Sequence, residues 1–282
     1  MLKILKCDLA RIISIRGFTA AIIMTAVLCF SVQVFSDSTN GKAYSAFEAL
    51  LTLKRDFMAL QSHFSPPVII SKALSGYSSM LLPITASFPF VLSFTAEKNS
   101  GNILCTISRT SRMKYCISKF ITSVLSGGLC TLFGVILFGI FVYVLFPNAD
   151  PSDLQAFSNG VFPVLVKKAI STFVFGMTSV LPAFFICSFC SNPYIILCVP
   201  FMLKFILETI LSKLQANGDA AGNISVYEQL APFSPNAASS LIDRPVNKTF
   251  LIIIVVNVVF AAAVFAGFTI ITERRMDRGR LS

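Results

Sequence analysis

The sequence predicts an all-α, polytopic membrane protein with six transmembrane helices, and three observations support this prediction. Of the 282 residues, 55% are hydrophobic and only 13% are charged, which is about half the charged share of an ordinary soluble chain. The mean hydropathy is +0.78. Six stretches are apolar over the roughly 20 residues that a helix needs to cross a bilayer. This composition excludes a disordered chain, a disulfide-framed secreted domain and an ordinary soluble enzyme.

The predicted spans form a single transmembrane domain over residues 1–282. An N-terminal interfacial helix over 1–17 precedes them, although an ordinary basic flank explains that segment equally well. Only the fifth span contains charged residues, Lys204 and Glu208. The six spans are 18–35, 79–96, 120–146, 169–190, 194–211 and 249–272.

Basic residues predict which side of the membrane each connecting segment faces. Segments 1–17, 97–119 and 273–282 hold 13 of the 23 lysines and arginines and four of the 13 acids. The remaining segments, 36–78, 147–168 and 212–248, hold nine bases and eight acids. Because short cytoplasmic loops carry the excess of Lys and Arg, we expect the first group and both termini to lie on the cytoplasmic side of the cell membrane. The net charge of +10 then has a membrane explanation, and no nucleic-acid partner is expected.

The predicted outer segments differ in pattern. In 36–78, apolar residues recur at helical intervals on both sides of a Ser-Pro-Pro break, which predicts a small helical cap. Segment 147–168 is predicted to be an outer loop. Segment 212–248 is predicted to be an irregular loop with a short surface or re-entrant helix near 226–242. The lone His63 has no partner ligands in the sequence, so we expect an exposed loop residue and no metal site.

Small residues and prolines inside the spans predict how the helices pack. Ser126, Cys130 and Gly134 form a row at four-residue spacing in the third span, which favours close approach of helices in lipid. Prolines inside the second, fourth and fifth spans predict kinks, because proline lacks the amide that a helix needs. These prolines are Pro83, Pro89, Pro182 and Pro200.

The sequence contains no soluble-type catalytic signature. It lacks a phosphate loop of the GxxxxGK[ST] type, a GxSxG nucleophile elbow and an HExxH metal motif. Its single histidine excludes a multi-histidine metal site. We therefore expect that the chain is not an enzyme and holds no cofactor. If ATP drives its activity, another polypeptide must bind the nucleotide.

The segment between the second and third spans, 97–119, has a distinctive order of residues. Glu97 follows the second span directly, Gly101 is expected to break the helix, and residues 102–107 have helical apolar spacing. Four basic residues follow, namely Arg109, Arg112, Lys114 and Lys119. A short amphipathic helix held between two stiff spans would pass a push from a cytoplasmic partner into both of them.

This order resembles the membrane (permease) subunits of bacterial ATP-binding-cassette transporters of the type-2 exporter family. The Pro-rich second span, MLLPITASFPFVLSF, is followed by E-x-x-x-G, a short apolar helix, R-x-S-R and a Lys that opens the third span. The resemblance covers the chain in order, through six spans, an amphipathic N-terminal helix and a Pro-containing outer segment, QLAPFSPNAASSLI, before the last span. In that family the matching element is the coupling helix, which sits in a groove of the ATPase subunit. We therefore name residues 97–119 the coupling segment.

The resemblance implies a function, partners and site residues. It implies ATP-driven export of a peptide, drug-like molecule or lipid through a pathway shared with a second permease chain, identical or homologous. Two separate ATPase subunits are implied to bind ATP and Mg, and to dock on the coupling segment. The residues that match the docking element are Glu97, Gly101, Ile103, Leu104, Ile107, Arg109 and Arg112.

Lys204 and Glu208 lie four residues apart, on one face of the fifth span. Unpaired charges at this depth cost a few kcal/mol each, so they must pair, reach the interface or face a polar cavity. Two interpretations follow. One is contact with the substrate along the transport pathway, and the other is a pair within the helix near the outer interface.

Three alternatives to the permease function are open at this point. A secondary transporter or channel needs no ATPase, but it predicts ionisable residues along a path, and five of the six spans have none. An intramembrane enzyme predicts a convergent His, Asp or Ser-Lys set, and none is evident. A non-transporting membrane anchor of a complex is compatible with the composition.

Overall fold

The computed structural model describes residues 2–37, 42–59, 62–74, 77–146, 161–221 and 248–277. Within these ranges the chain is mostly helical, and five helices are long and apolar enough to cross a membrane. A bent pair of N-terminal helices adds a sixth span if the pair counts as one. The chain is therefore a mostly helical, multi-pass membrane protein, as predicted.

The N-terminal segment folds as two helices joined by a bend. Helix α1 is Leu2–Ser14 and helix α2 is Arg16–Cys29, and their axes differ by 62°. The predicted N-terminal helix is confirmed. The predicted helical span 18–35 is wrong at its far end, because the helix stops at Cys29. The following residues alternate buried Val32 and Val34 with exposed Gln33, which is the pattern of a strand.

A β-hairpin follows α2. Strand β1, Gln33–Asp37, pairs with the antiparallel strand β2, Lys42–Ser45, and Phe35 stacks on Tyr44 across the pair with ring centroids 6.4 Å apart. The prediction of a wholly helical cap is therefore wrong at its beginning. Between the strands the sequence reads Asn40-Gly41, a typical hairpin signal that the helical interpretation overlooked.

Short helices complete the cap, as predicted. They are α3 (Ala46–Thr52), α4 (Arg55–Ala59), a 3₁₀ turn (Ser62–Phe64) and α5 (Pro66–Ser71). Helix α3 begins with a capping box, because the Glu48 amide donates to Ser45 Oγ at 3.2 Å and the Ser45 amide donates to the Glu48 carboxylate at 2.9 Å. His63 is exposed in the 3₁₀ turn, as expected.

Seven helices make up the rest of the described chain. They are α6 (Tyr77–Asn99), α7 (Asn102–Arg109), α8 (Arg112–Leu145), α9 (Val161–Ser179), α10 (Leu181–Cys187), α11 (Pro193–Ala221) and α12 (Lys248–Asp277). The second, third, fifth and sixth predicted spans lie in α6, α8, α11 and α12. The fourth, 169–190, is divided at Val180, where Pro182 in the first turn of α10 has no amide to donate. The predicted loops 147–168 and 212–248 are wrong at 161–168 and 212–221, because α9 begins at Val161 and α11 continues to Ala221. Their other residues, 147–160 and 222–247 with the predicted helix 226–242, lie outside the described residues.

Helix α8 packs against α2, α6 and α9. Small residues make these approaches close. Gly134 of α8 faces Thr25 of α2, and Gly176 of α9 faces Thr131 and Gly127 of α8. A Cβ at Gly176 would lie 2.6 Å from the Gly127 carbonyl oxygen, which is too close for any residue but glycine. The prediction that small residues of the third span permit close packing is confirmed for Gly134.

Contacts group the connecting segments at two ends of the bundle. At the end that contains α7, helix α1 meets α6 and α8, Lys98 of α6 contacts the loop between α10 and α11, and Phe94 of α6 contacts Phe268 of α12. At the other end, the hairpin and α5 pack on the second half of α8 around Phe138 and Phe146. We call these the α7 end and the hairpin end. Helix α1, the coupling segment and the end of α12 therefore lie together at the α7 end, and the side of the membrane that they face stays a prediction.

Candidate functional site

The coupling segment forms a short helix between two long ones. Helix α6 ends at Asn99, Gly101 has a φ of 70°, and α7 then runs to Arg109. Because a positive φ is strained for residues that carry a Cβ, glycine suits the position where the chain turns. The predicted break at Gly101 and the predicted short helix after it are both confirmed.

Helix α7 has a buried side and an exposed side. Ile103 is only 3% exposed and belongs to a core cluster with Tyr115 of α8, and Ile107 packs against the same cluster one turn later. Asn102 and Ser108 lie on the exposed side. The buried isoleucines therefore hold α7 against the bundle and leave its other side uncovered by the described chain.

The exposed side continues into the first turn of α8. Arg112, Met113 and Lys114 are exposed, with Met113 57% exposed between the two bases. The side chains of Leu104 and Arg109, both predicted docking residues, lie outside the part that the structure describes. We name the exposed set the α7 surface: Asn102, Ser108, Arg112, Met113 and Lys114.

Glu97 does not lie on the α7 surface. Its side chain is 4% exposed, and the Lys119 Nζ donates to Glu97 Oε2 at 2.6 Å. The Tyr115 hydroxyl lies 3.5 Å from Glu97 Oε1. Both Glu97 and Ile103, predicted as docking residues, thus face the interior of the chain and not a partner. Burial of the acid is tolerated because it is paired and hydrogen-bonded.

Lys119 bridges two carboxylates from different helices. Its Nζ lies 2.9 Å from Asp8 Oδ1 of α1 in addition to the contact with Glu97, and Ser118 Oγ donates to Asp8 Oδ2 at 3.0 Å. We call Asp8, Glu97 and Lys119 the ionic cluster. At its edge, Arg11 Nη1 lies 3.6 Å from Glu97 Oε2, with a side chain that is 43% exposed. The cluster joins α1, α6 and α8 at the α7 end of the bundle.

The ionic cluster was not predicted from the sequence, where all of its members were counted as charged flanks. Asp8 is the only acid among the bases of 1–17, and it lies one helical turn before the buried Ile12, on the same face. Lys119 lies two turns into α8 and not in a loop. An isolated acid on the apolar face of an otherwise basic helix was the available signal for an internal partner.

Lys98 makes a second attachment at this end. Its Nζ donates to the carbonyl oxygens of Cys187 at 3.3 Å and Cys190 at 3.0 Å. The last carbonyls of a helix have no amide partner within the helix, and a cation there is favourable. The end of α6 is therefore fixed to the end of α10 as well as to α1 and α8.

Lys204 lies at the hairpin end of the bundle. Its Nζ is 3.6 Å from Glu208 Oε1, one turn further along α11, and 4.4 Å from the centre of the Phe175 ring of α9. The Lys204 side chain is 4% exposed and that of Glu208 is 13% exposed. The interpretation as a pair within the helix is confirmed. Contact of either residue with a substrate stays a prediction.

Lys204 also donates a hydrogen bond to a backbone carbonyl of a different helix. Its Nζ donates to the carbonyl oxygen of Ser79 in α6, and in a regular helix that carbonyl accepts from the amide four residues later. That residue is Pro83, which has no amide. Pro89 has the same effect on the carbonyl of Thr85, which lies 3.5 Å from the Cys130 thiol. Side chains of neighbouring helices thus compensate for both prolines of α6.

No group of three His, Cys, Asp or Glu side chains within the described ranges is arranged to hold a metal ion. Comparison with known proteins gives no assignment, because no known family profile matches the chain and no curated protein matches it. The geometry of the coupling segment and the resemblance of its sequence therefore give the best indication of function.

Proposed function

We propose that this chain is the membrane (permease) subunit of an ATP-binding-cassette transporter of the type-2 exporter family. Two separate ATPase subunits, which bind ATP and Mg, dock on the α7 surface. A second permease chain, identical or homologous, completes the pathway. The complex exports a peptide, a drug-like molecule or a lipid. In this proposal α1 is the interfacial helix, α2 begins the first of six spans, and both termini lie on the cytoplasmic side of the cell membrane.

The observation that carries the proposal is the way α7 is packed against the bundle and connected to two spans. The helix has only eight residues, it is anchored on one side by Ile103 and Ile107, and it leads directly into the spans α6 and α8. A force on its exposed side is transmitted to both spans, because the ionic cluster and the core packing leave little room for independent movement. An ATPase that changes shape on binding nucleotide could use such an element.

The distribution of basic residues supports a cytoplasmic position for the α7 end of the bundle. Segments 1–17, 97–119 and 273–282, which hold 13 of the 23 bases, meet at the α7 end or continue from it. Basic segments remain on the cytoplasmic side during insertion. The α7 surface would then face the compartment that contains ATP.

In this proposal some of the predicted docking residues hold α7 in place, and others contact the ATPase. Gly101 sets the turn into α7, and Glu97, Ile103 and Ile107 hold the helix in place from inside. Arg112 and its exposed neighbours make the contact with the ATPase. A basic, partly apolar surface of this kind fits an acidic groove.

Affinity purification tests the proposal directly. The tagged chain is isolated from its native membranes, and mass spectrometry identifies any co-eluting protein with a phosphate-loop motif. We expect such an ATPase to co-elute, and we expect Arg112→Glu to reduce its recovery about tenfold or more, because like charges across an interface repel. The matched control is Lys167→Glu, since Lys167 is an exposed base at the hairpin end, and it should leave recovery unchanged. Recovery of no ATPase, or equal recovery with both variants, would overturn the proposal.

One observation favours a second function. The ionic cluster is a set of buried ionisable groups, and buried acids and bases mark ion pathways in transporters driven by ion gradients. Its position at the end of the bundle and its internal pairing fit structural attachment better. Transport that survives ATP depletion and stops when the ion gradient collapses would favour the secondary transporter.

A further inference from the structure

We infer that Asp8 and Lys119 are positioning residues that attach α1 to the coupling segment, so that α1 moves with α7. The direction of this movement rests on the proposed function. The attachment of α1 through the two residues does not, because it is a property of the chain alone.

The geometry brings both ends of the coupling segment to one ammonium group. Glu97 lies in the last turn of α6, four residues before Gly101, and Lys119 lies in the second turn of α8. The Lys119 Nζ is 2.6 Å from Glu97 and 2.9 Å from Asp8. Helix α1 is therefore attached at the point where the two ends of the coupling segment meet.

Charge and packing make this attachment stiff. The side chains of Asp8, Glu97 and Lys119 are 15%, 4% and 7% exposed, so separating α1 from Lys119 leaves a largely buried ammonium with one carboxylate fewer. One turn after Asp8, Ile12 is 3% exposed and belongs to the same core cluster as Phe90 of α6. A helix held only by headgroups would have neither contact. Arg11 is too exposed to replace Lys119.

The first test needs no ATPase. Hydrogen–deuterium exchange is measured on the purified chain in lipid nanodiscs for the wild type and for Asp8→Asn, which removes the charge and keeps the shape. We expect the amides of α1 to exchange roughly tenfold faster in Asp8→Asn, because a hydrogen bond between charged groups is lost, while those of α7 keep their rate. Lys119→Met should also release α1. The matched control is Lys6→Gln, since Lys6 is exposed on the same helix, and it should have no effect. Wild-type exchange of α1 in both Asp8→Asn and Lys119→Met would overturn the inference.

The second test adds the co-purified ATPase and ADP with vanadate. In the wild type we expect exchange to change in α7 and α1 together, and in Asp8→Asn we expect it to change in α7 alone. A response of α1 that persists in Asp8→Asn, or that is absent from the wild type while α7 responds, would overturn the inference. A wild-type α7 that never responds would count against the proposed function, and the first test would still decide whether Asp8 holds α1.

Discussion

Lys119 and Lys204 are both buried, at opposite ends of the helix bundle, and their partners differ in kind. Lys119 bridges carboxylates on two other helices, Asp8 of α1 and Glu97 of α6. Lys204 has its charge partner, Glu208, on its own helix, and its other contacts are a backbone carbonyl and an aromatic ring. The first lysine therefore fixes the relative positions of three helices through charge. The second mainly donates to a carbonyl of α6 that has no amide partner because of Pro83.

The two sites also differ in the groups that remain when the lysine is removed. At the α7 end, two largely buried carboxylates are left together, and the other base that pairs with Glu97 among the described residues is the half-exposed Arg11. At the hairpin end, one carboxylate and one carbonyl are left. Thermal unfolding of matched variants tests this difference.

The largest effect is expected for Lys119→Met. Removing one partner from a buried charge network costs about 3–5 kcal/mol, since the remaining charges stay buried. Thermal unfolding in detergent should show the loss. The matched control is Lys114→Met, because Lys114 is exposed on the same helix, and its effect should stay within about 0.5 kcal/mol. Equal melting temperatures for the two variants would show that the ionic cluster does not stabilise the fold.

A smaller loss is expected for Lys204→Met. It removes the hydrogen bond to Ser79 and the ion pair with Glu208, which costs about 1–3 kcal/mol. The same unfolding assay applies, with Lys213→Met as the control, since Lys213 is exposed on the same helix. A loss larger than that of Lys119→Met would reverse the comparison.

Pro83→Ala measures how much of the stability loss in Lys204→Met comes from the hydrogen bond to the Ser79 carbonyl. An alanine restores an amide donor for the Ser79 carbonyl, so Lys204→Met should cost about 1 kcal/mol less in the Pro83→Ala background than alone. In the Pro89→Ala background no such recovery is expected, because Pro89 affects the carbonyl of Thr85. If both backgrounds behave alike, Lys204 does not act on α6 through Ser79.

The smallest effect is expected for Arg11→Met. The Arg11 side chain is 43% exposed and 3.6 Å from Glu97, and a pair screened by solvent contributes about 0–1 kcal/mol. Unfolding of Arg11→Met should therefore differ little from that of the wild type. A loss as large as that of Lys119→Met would mean that Arg11 is a full member of the ionic cluster.

Features encoded within one or two helical turns were predictable from the sequence. The apolar lengths placed most spans, Gly101 marked the turn before α7, and the spacing of Lys204 and Glu208 indicated their pairing. Each of these depends on residues that are neighbours along the chain. The prediction of α7 succeeded for the same reason, because its apolar spacing is local.

Features that depend on contacts between distant segments were not predictable in this way. Asp8 and Lys119 are 111 residues apart, and nothing in their local sequences specifies that α1 packs where α6 and α8 meet. The exposure of Glu97 was misjudged for the same reason, since a charged residue next to a span is usually solvated. The hairpin was missed because the apolar first span was extended through Val32 and Val34 to residue 35, and the helical cap was taken to begin directly after it.

The contact between Gly127 and Gly176 has a mechanical consequence. With no side chain between the two backbones, α8 and α9 cannot slide past one another without collision of main-chain atoms, and they must travel as one piece. By contrast, most side chains of the described part of α12 are not buried within the chain. We therefore expect movement between helices to occur at α12 and not between α8 and α9.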